Sequence, residues 1–329
     1  MDENKIKELI EKGRASLRSG YEEDPYPDYQ TDQQLKKPQP PLVKEAMSDH
    51  IIDLPIDFEG IEVETDFLTI VNRRSSHRVY TQEKMNIRQL SYMLWCIQGV
   101  KTIRGKSYAT LRTVPCGGAR HPFEVYMTIK DVDGLEDGLY HYLPMHHQIE
   151  FLKKIDDMAD FIGKSVAGQI WAAKANVVFY FSVVFYRGEW RYGIHACAGM
   201  RADAGHVMQN LYLSATALGR GGCALGAVNG KCCDEMFGLN GIDESIIYAM
   251  PVGTISEKDK QKEEDFYAFV KEEGLEGEKP SNNEKMIHED SLKIVSGGKD
   301  PTSQIEEADL NIMYQYIDEQ WDATAAFPI

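Results

Sequence analysis

Residues 203–228 read DAGHVMQNLYLSATALGRGGCALGAV, and this stretch decides the class of fold. Its first part predicts a buried helix that Asp203 caps and Gly219 closes. Its last part, GGCALGAV, predicts a strand. The junction GRGGCA matches the glycine spacing of a dinucleotide-binding turn, but that turn needs a strand before the glycines and a helix after them. Because the order here is reversed, a Rossmann NAD domain is not indicated.

The neighbouring segments alternate between helices and strands. ANVVFYFSVVF (175–185) is a continuous apolar run, which predicts a fully buried strand. In NIRQLSYMLWCIQG (86–99), Asn86 and Gln89 have the spacing of a helix capping box, and Gly99 ends the helix. Helices and strands without a regular βαβ rhythm predict an α+β domain. Further predicted elements are the helix DFLTIVN, the strand FEVYMTIK with Val125, Met127 and Ile129 on one side, the hairpin GLYHYL–QIEFLKK and the strand SIIYAMPVG.

The two ends of the chain differ in composition from its middle. Residues 1–65 are rich in Pro, Tyr and charge, which predicts an N-terminal extended arm. Residues 66–256 contain the alternating helices and strands and form the predicted main domain. Residues 257–329 predict an acidic linker followed by an amphipathic C-terminal helix at QIEEADLNIMYQYIDEQW.

Composition excludes several classes of function. The chain has 329 residues and a formal charge of −16, so a broad nucleic-acid surface or an attachment to anionic membranes is not expected. No signal peptide and no membrane-spanning run is evident, which predicts a cytoplasmic protein. The six cysteines are scattered without a C-x-x-C pair, so we expect free thiols and no metal site.

Three short motifs could carry chemistry, and each has a simpler alternative. NRRSSHRVY (72–80) places arginines around two serines, which suits an anion site or a solvated turn. PCGGARHP (115–122) lets main chain approach a flat ligand closely, or is a plain tight turn. In CALGAV (223–228), Gly226 gives main-chain N–H groups access to a ring edge, or marks a strand bulge.

Taken together and in this order, the motifs resemble those of the FMN-dependent nitroreductase superfamily. The elements that carry the resemblance are RRSSHRVY, RTVPCGGARHPFEVY, RADAGHVMQNLYLSATALGRGGCALGAV and AMPVG. They extend from about residue 66 to residue 254, and their sequences are most similar to those of the SagB/ThcOx-type dehydrogenase branch. The resemblance implies a nitroreductase-like fold, in which helices flank a central, mostly antiparallel sheet and two copies form an intertwined homodimer.

The resemblance also implies a set of cofactor contacts. Two arginines would bind the FMN phosphate through charge-assisted hydrogen bonds, with two serines as additional donors. Main-chain amides near Gly226 would face the N5 and O4 edge of the flavin. The segment around Cys116 would border the ring, in this family often from the neighbouring subunit. The residues concerned are Arg74, Ser75, Ser76, Arg78, Pro115, Cys116, Gly117, Ala119, Gly226 and Ala227.

This chain departs from the dehydrogenase branch at the catalytic Lys-Tyr pair, because Arg191 stands in place of the lysine. Arginine is not deprotonated in proteins, so it cannot act as a general base, although it can steady an anionic substrate. Tyr192 is retained and is the best candidate for a proton donor. His195 and Cys197 are either a reactive pair or packing residues. Cys116 replaces a serine and is the weaker donor.

The leading hypothesis is an FMN-dependent oxidoreductase that transfers a hydride through flavin N5 to or from a small organic or peptide-derived substrate. Two versions stay open: a reductase that takes electrons from NAD(P)H, and a dehydrogenase that returns them to another acceptor. An alternative from a different class is a catalytically altered scaffold that binds a partner protein or peptide.

Overall fold

Helices and strands follow one another along the part of the chain that the computed structural model describes, which is residues 3–17, 26, 28–81, 83–258, 260–261 and 265. The helices in this part are α1 (Glu3–Ala15), α2 (Phe67–Arg73), α3 (Ile87–Gln98), α4 (Met158–Ser165), α5 (Phe185–Tyr192), α6 (Ala196–Ala217) and α7 (Gly230–Phe237). The strands are β1 (Ile51–Asp53), β2 (Val100–Arg104), β3 (Ala109–Arg112), β4 (Phe123–Ile129), β5 (Gly138–Leu143), β6 (Gln148–Lys153), β7 (Val177–Val184), β8 (Arg220–Gly222) and β9 (Glu244–Thr254).

A seven-stranded sheet organises the fold, with the order β1-β6-β5-β4-β7-β9-β8. Every pairing between these strands is antiparallel. The apolar run around β7 forms the middle of the sheet, where Phe181 pairs with Val125 on one side and with Tyr248 on the other. β2 and β3 form a separate two-stranded hairpin. The predicted α+β class and the mostly antiparallel sheet are therefore confirmed.

One face of the sheet forms the main apolar core with α3 and α6. The predicted strand face of Val125, Met127 and Ile129 packs into this core. Asn86 and Gln89 form the predicted capping box at the start of α3, so its boundary is as the sequence indicates. The Asn210 side chain donates to the main-chain carbonyl of Cys96 across the two helices at 2.9 Å.

The beginning of α6 differs from the prediction. The helix starts at Ala196 rather than at Asp203, because the helix-compatible residues ACAGMRA extend it toward α5 by two turns. Asp203 therefore lies inside the helix and is not its cap. The residue is 8 % exposed, and its carboxylate accepts hydrogen bonds from another segment, as described below.

Two histidines show that burial depends on the side of an element that a residue occupies. His147, in the turn between β5 and β6, is buried and bonds to the Ser91 and Tyr142 hydroxyls at 2.7 Å each. His206 lies on α6, yet its side chain is 49 % exposed and lies 3.4 Å from a carboxylate oxygen of Asp203.

The N-terminal segment follows the main domain along its surface and adds β1 to the edge of the sheet. Buried side chains of the domain, most of them charged, bind its main chain. Arg187 donates to the carbonyl of Pro41, and Glu150 accepts from the N–H groups of Met47 and Ser48. Three further contacts are of this kind. Trp190 donates to the Lys37 carbonyl, Arg112 donates to the Leu42 carbonyl, and Glu124 accepts from the Lys44 N–H. The division of the chain at residues 65 and 256 stays a prediction.

The contacts divide the chain into two units, Met1–Thr254 and Ile255–Ile329. In the second unit only residues 255–258, 260–261 and 265 are described, and they include an ion pair between Lys260 and Glu257. The predicted C-terminal amphipathic helix lies outside the described residues. None of the helices described is long and apolar enough to span a membrane.

Candidate flavin site

The arginine-rich turn of residues 74–78 begins where α2 ends and is fixed to the glycine end of β8. Ser76 forms a parallel bridge with Gly222, whose carbonyl accepts the His77 N–H at 3.0 Å. Arg74 caps α2 through its own main-chain N–H, and its guanidinium lies 5.3 Å from the centre of the Tyr212 ring. Short polar side chains and cations therefore gather at one end of the sheet.

Tyr212 of α6 connects this turn to the segment after β8. Its hydroxyl lies 3.0 Å from the Ser76 hydroxyl and accepts the Ala224 N–H at 2.8 Å. Two residues farther along, the N–H groups of Gly226 and Ala227 have no acceptor among the described residues. Gly226 is exposed, so its amide is accessible to a ligand.

A second group of the expected residues surrounds the turn of Cys116, Gly117 and Ala119. One carboxylate oxygen of Asp203 accepts both the Gly117 N–H and the Cys116 thiol, each at 3.0 Å. Gly118 has φ of +57°, and a side chain there would meet Arg191 and Tyr192 at less than 3 Å. The glycine is needed for its conformation and for this close approach. Pro115, at the start of the segment, is exposed.

This turn borders a cavity of about 390 Å³. The residues that give it chemical character are Cys116, Arg120, Tyr192, His195 and Asp203. Leu17, Pro122, Met200 and small residues of α5 and α6 complete the wall. Cys197 is exposed and is not part of the lining, so the structure separates it from the cavity that His195 faces.

The Cys116 thiol is held in its neutral form. Burial and the neighbouring Asp203 carboxylate raise the pKa of Cys116 to about 12. A thiol with this pKa is a hydrogen-bond donor and a poor nucleophile at neutral pH. It therefore acts here as a hydrogen-bond donor to Asp203.

Arg191 and Arg120 enclose Tyr108 beside the cavity. Arg191 donates to the Tyr108 hydroxyl at 2.7 Å, and the Arg120 guanidinium lies 4.8 Å from the centre of its ring. Burial alone would raise the pKa of Tyr108, but a hydrogen bond from Gln33 and the two arginines lower it overall. This mouth of the cavity is therefore electropositive.

The expected site residues thus form two groups rather than one. Tyr212, beside the arginine-rich turn, and Asp203, beside the glycine turn, are nine residues apart on α6. Helical rise separates these positions by roughly 14 Å. Sequence reasoning missed both residues. A tyrosine hydroxyl and a carboxylate on a helix of mainly small and apolar residues were the available signal.

Comparison with known proteins identifies relatives along most of the described chain. The nitroreductase family model matches residues 70–254. A protein of Methanocaldococcus jannaschii, provisionally named a nitroreductase, is 32% identical over 202 residues, which cover 61% of this chain and 95% of that protein.

Two further relatives cover different shares of the chain. The trifolitoxin-processing protein TfxB of Rhizobium leguminosarum is 32% identical over 127 residues, which cover 36% of this chain and 34% of that protein. A crystal structure from Ralstonia eutropha, also provisionally named a nitroreductase, superposes with a TM-score of 0.53 at 25% identity. That alignment covers 67% of this chain and 97% of the other.

Proposed function

The chain belongs to the nitroreductase family, and from this membership we propose that it is an FMN-dependent oxidoreductase. It would pass a hydride through flavin N5 to or from a small organic or peptide-derived substrate. The observation that carries the proposal is the group of Arg74, Ser76 and Tyr212 beside the unpaired amides of Gly226 and Ala227.

The arginine-rich turn suits the phosphate end of the cofactor. Arg74 is half-buried, and no carboxylate of the described chain forms an ion pair with it. Its neighbour Arg73 instead points toward Glu64, at 3.7 Å. A half-buried guanidinium next to serine hydroxyls favours a phosphate through charge-assisted hydrogen bonds. Ser75, Ser76 and Arg78 would complete this phosphate site.

The amides of Gly226 and Ala227 suit the polar edge of the ring. When bound, FMN supplies the two-electron redox chemistry, and the protein tunes it through nearby donors. N–H groups that are fixed in direction stabilise negative charge that develops at such an edge. Gly226 has no side chain, and even an added Cβ would remain 3.9 Å from Tyr248, so the main chain is open to a flat ligand.

The glycine turn and the cavity suit the reacting substrate. Tyr192 lines the cavity and would donate a proton there. Arg191 stays charged and would orient an anionic group of the substrate.

The glycine turn would border the flavin of a second copy, because the two groups of residues lie far apart along α6. The residues concerned are Pro115, Cys116, Gly117 and Ala119. We therefore include the homodimer in the proposal.

Within this class, the dehydrogenase version has one observation in its favour. TfxB is named for the processing of trifolitoxin, and this favours a substrate that is itself a natural product under maturation. The electropositive mouth formed by Arg120 and Arg191 agrees with a substrate larger and more polar than a free nitro compound. The reductase version, fed by NAD(P)H, is the second candidate.

The visible absorption spectrum of the purified protein tests the proposal, with Arg74→Gln as the variant and Arg73→Gln as its matched control. We expect flavin absorbance in the wild type and in the control. Loss of a charge-assisted bond to phosphate costs about 1.5–3 kcal/mol, so FMN affinity of the variant should fall roughly 10- to 150-fold. Bleaching by NADPH without oxygen would assign the reductase version, and its absence the dehydrogenase version.

A protein that takes up no flavin, even with excess FMN, would overturn the proposal. The remaining candidate would then be the scaffold that binds a partner protein or peptide. Equal loss of flavin in both arginine variants would contradict the specific placement of the phosphate at Arg74.

A further inference from the structure

A long stretch of this acidic chain carries only positive charge. Residues 84–123 contain no Asp or Glu, although the chain as a whole has 52 acidic residues and a formal charge of −16. The basic residues of this stretch are Lys84, Arg88, Lys101, Arg104, Lys106, Arg112 and Arg120. Such a break in charge pattern indicates a local surface of opposite sign.

Lys84 and Arg88, at the start of the stretch, form ion pairs, whereas the three exposed cations of the hairpin form none with the described chain. Lys84 pairs with Asp133, and Arg88 pairs with Asp57 at 3.0 Å. Lys101, Arg104 and Lys106 are exposed on the β2–β3 hairpin, and no carboxylate of the described chain forms an ion pair with them. Three unneutralised cations on one hairpin favour an anionic ligand over solvent alone.

The hairpin leads to the cavity through Tyr108. The Tyr108 N–H donates to the Arg104 carbonyl at 3.0 Å, and the Tyr108 carbonyl accepts from Arg120 at 2.8 Å. The Tyr108 hydroxyl accepts from Arg191. Arg120 lines the cavity, so the cations of the hairpin and those of the cavity mouth form one cationic track. We define this track as Lys101, Arg104, Lys106, Arg120 and Arg191.

We propose that the cationic track binds an acidic peptide segment and directs the attached substrate group into the cavity. This proposal rests on the proposed function only for the last step, the reaction in the cavity. The binding itself follows from the charge and shape of the hairpin.

A peptide fits the track better than a nucleic acid does. Leu111 is 38% exposed and shares a face of the hairpin with Arg104, because it pairs with Thr102, two residues before Arg104. It offers an apolar contact to a side chain of an extended segment. A nucleic acid would extend beyond the short track onto the surrounding surface of a chain with net charge −16, which repels phosphate. Attraction to the track should decay over about 8–10 Å and weaken with salt.

Fluorescence anisotropy with a labelled peptide of alternating Glu and Leu tests the proposal on the full chain. Its Gln-Leu counterpart serves as the neutral probe. The variant replaces the three hairpin cations, K101Q/R104Q/K106Q, and the matched control replaces three exposed lysines elsewhere, K153Q/K154Q/K231Q. Both variants change the net charge equally, so an effect of overall charge cancels.

We expect the acidic peptide to bind the wild type and the control, and to bind the hairpin variant about tenfold more weakly. The neutral peptide should bind none of them, and added salt should weaken the acidic peptide. Equal binding to both variants, or retention of a single-stranded oligonucleotide as tightly as of the peptide, would overturn the proposal.

The flavin spectrum of the same samples separates the two proposals. Hairpin substitution should leave the flavin absorbance unchanged, because the track is distinct from the arginine-rich turn. Peptide binding by a protein without flavin would support the track and refute the oxidoreductase. A flavin-containing protein that does not bind the acidic peptide would refute only the proposed role of the cationic track.

Discussion

Asp203 is the residue on which the glycine turn depends, because one of its oxygens accepts from both the Gly117 amide and the Cys116 thiol. Replacing it by alanine leaves a main-chain donor without its acceptor at the cavity wall. We expect Asp203→Ala to lower the free energy of unfolding by about 1–3 kcal/mol and to weaken flavin binding. Urea denaturation and FMN titration measure the two effects.

Asp203→Asn is the informative control, since an amide oxygen can still accept from Gly117. It should retain most of the stability. If the alanine variant unfolds at the same urea concentration as the wild type, the carboxylate does not hold the turn.

The thiols of Cys116 and Cys197 should differ in reactivity. Burial and Asp203 raise the pKa of Cys116 to about 12, whereas Cys197 is exposed. Since the thiolate is the reactive form, iodoacetamide at mildly alkaline pH should label Cys197 first and spare Cys116. Mass spectrometry of the digested protein measures the order of labelling. Asp203→Ala should make Cys116 more reactive, and rapid labelling of Cys116 in the wild type would contradict its assignment as a neutral donor.

The role of a residue can be predicted from the sequence where its partners are adjacent in the chain. It is predicted poorly where the partner is distant in the sequence. The anion site at Arg74–Arg78 could be predicted because cations and serines are adjacent in the chain, and it stays a prediction. The same reasoning took Asp203 for a helix cap, since Asp often caps helices and its true partners, Cys116 and Gly117, are 86 to 87 residues away. Burial of His147 could not be predicted either, because Ser91 contacts it from another element.

At the scale of elements, a buried charged cluster joins the N-terminal segment to the sheet. Arg187 pairs with Glu124, and His141 lies between Glu124 and Glu150. Burial alone would lower the pKa of His141, but the hydrogen bonds that its ring donates to the two glutamates raise it overall. Glu150 also accepts two main-chain N–H groups of the segment, so it fixes the segment and the imidazole together.

Removing Glu150 should therefore release the segment. Glu150→Ala removes one of the two carboxylates beside His141 and leaves two amides without their acceptor, and loss of one member of a buried ion pair costs about 3–5 kcal/mol. Urea denaturation measures this loss, and limited proteolysis should show faster cleavage between residues 33 and 48. Glu136→Ala is the control, because Glu136 is an exposed glutamate that pairs only with Lys154 among the described side chains. Equal stability of the two variants would contradict this anchoring.

His147 should make the protein sensitive to mild acid. Burial lowers its pKa from 6.5 to about 4, so the folded protein holds the ring neutral while the unfolded chain binds a proton below pH 6.5. Its contribution to stability is complete above pH 6.5 and is lost as the pH falls toward 4. Between pH 7 and pH 5 the loss is about 2 kcal/mol. His147→Gln should reduce the pH dependence of the urea midpoint, and an unchanged dependence would contradict the assignment.

Helices and strands were predicted correctly where one sequence pattern extends over the whole element. The limits of α3 follow from its capping box, and β7 follows from an apolar run that only a buried strand of this length explains. The start of α6 was missed because the residues before Asp203 contain no helix-breaking signal. β1 was missed because three residues in a Pro-rich segment give no periodicity.

At the scale of the whole molecule, α2 presents apolar side chains that one copy does not bury. Phe67 and Leu68 are 68% and 59% exposed beside the arginine-rich turn. In the proposed homodimer this surface would meet the second copy. The double variant F67E/L68E should therefore halve the molar mass measured by light scattering. Ile242→Glu, at a residue 79% exposed on the turn before β9, is the control and should leave the mass unchanged. A dimer that persists in the double variant would exclude α2 from the interface.

The main-chain contacts of the N-terminal segment have a consequence for how this region changes during evolution. Arg187, Glu150 and Trp190 recognise carbonyl and amide groups that nearly every amino acid possesses. Apart from Lys44, whose ammonium group binds Glu244 and the Tyr126 hydroxyl, substitutions along residues 33–48 can therefore accumulate without loosening the attachment, while the side chains that hold it cannot change singly. Homologues should show a poorly alignable segment that nevertheless follows the same course over an invariant set of buried side chains.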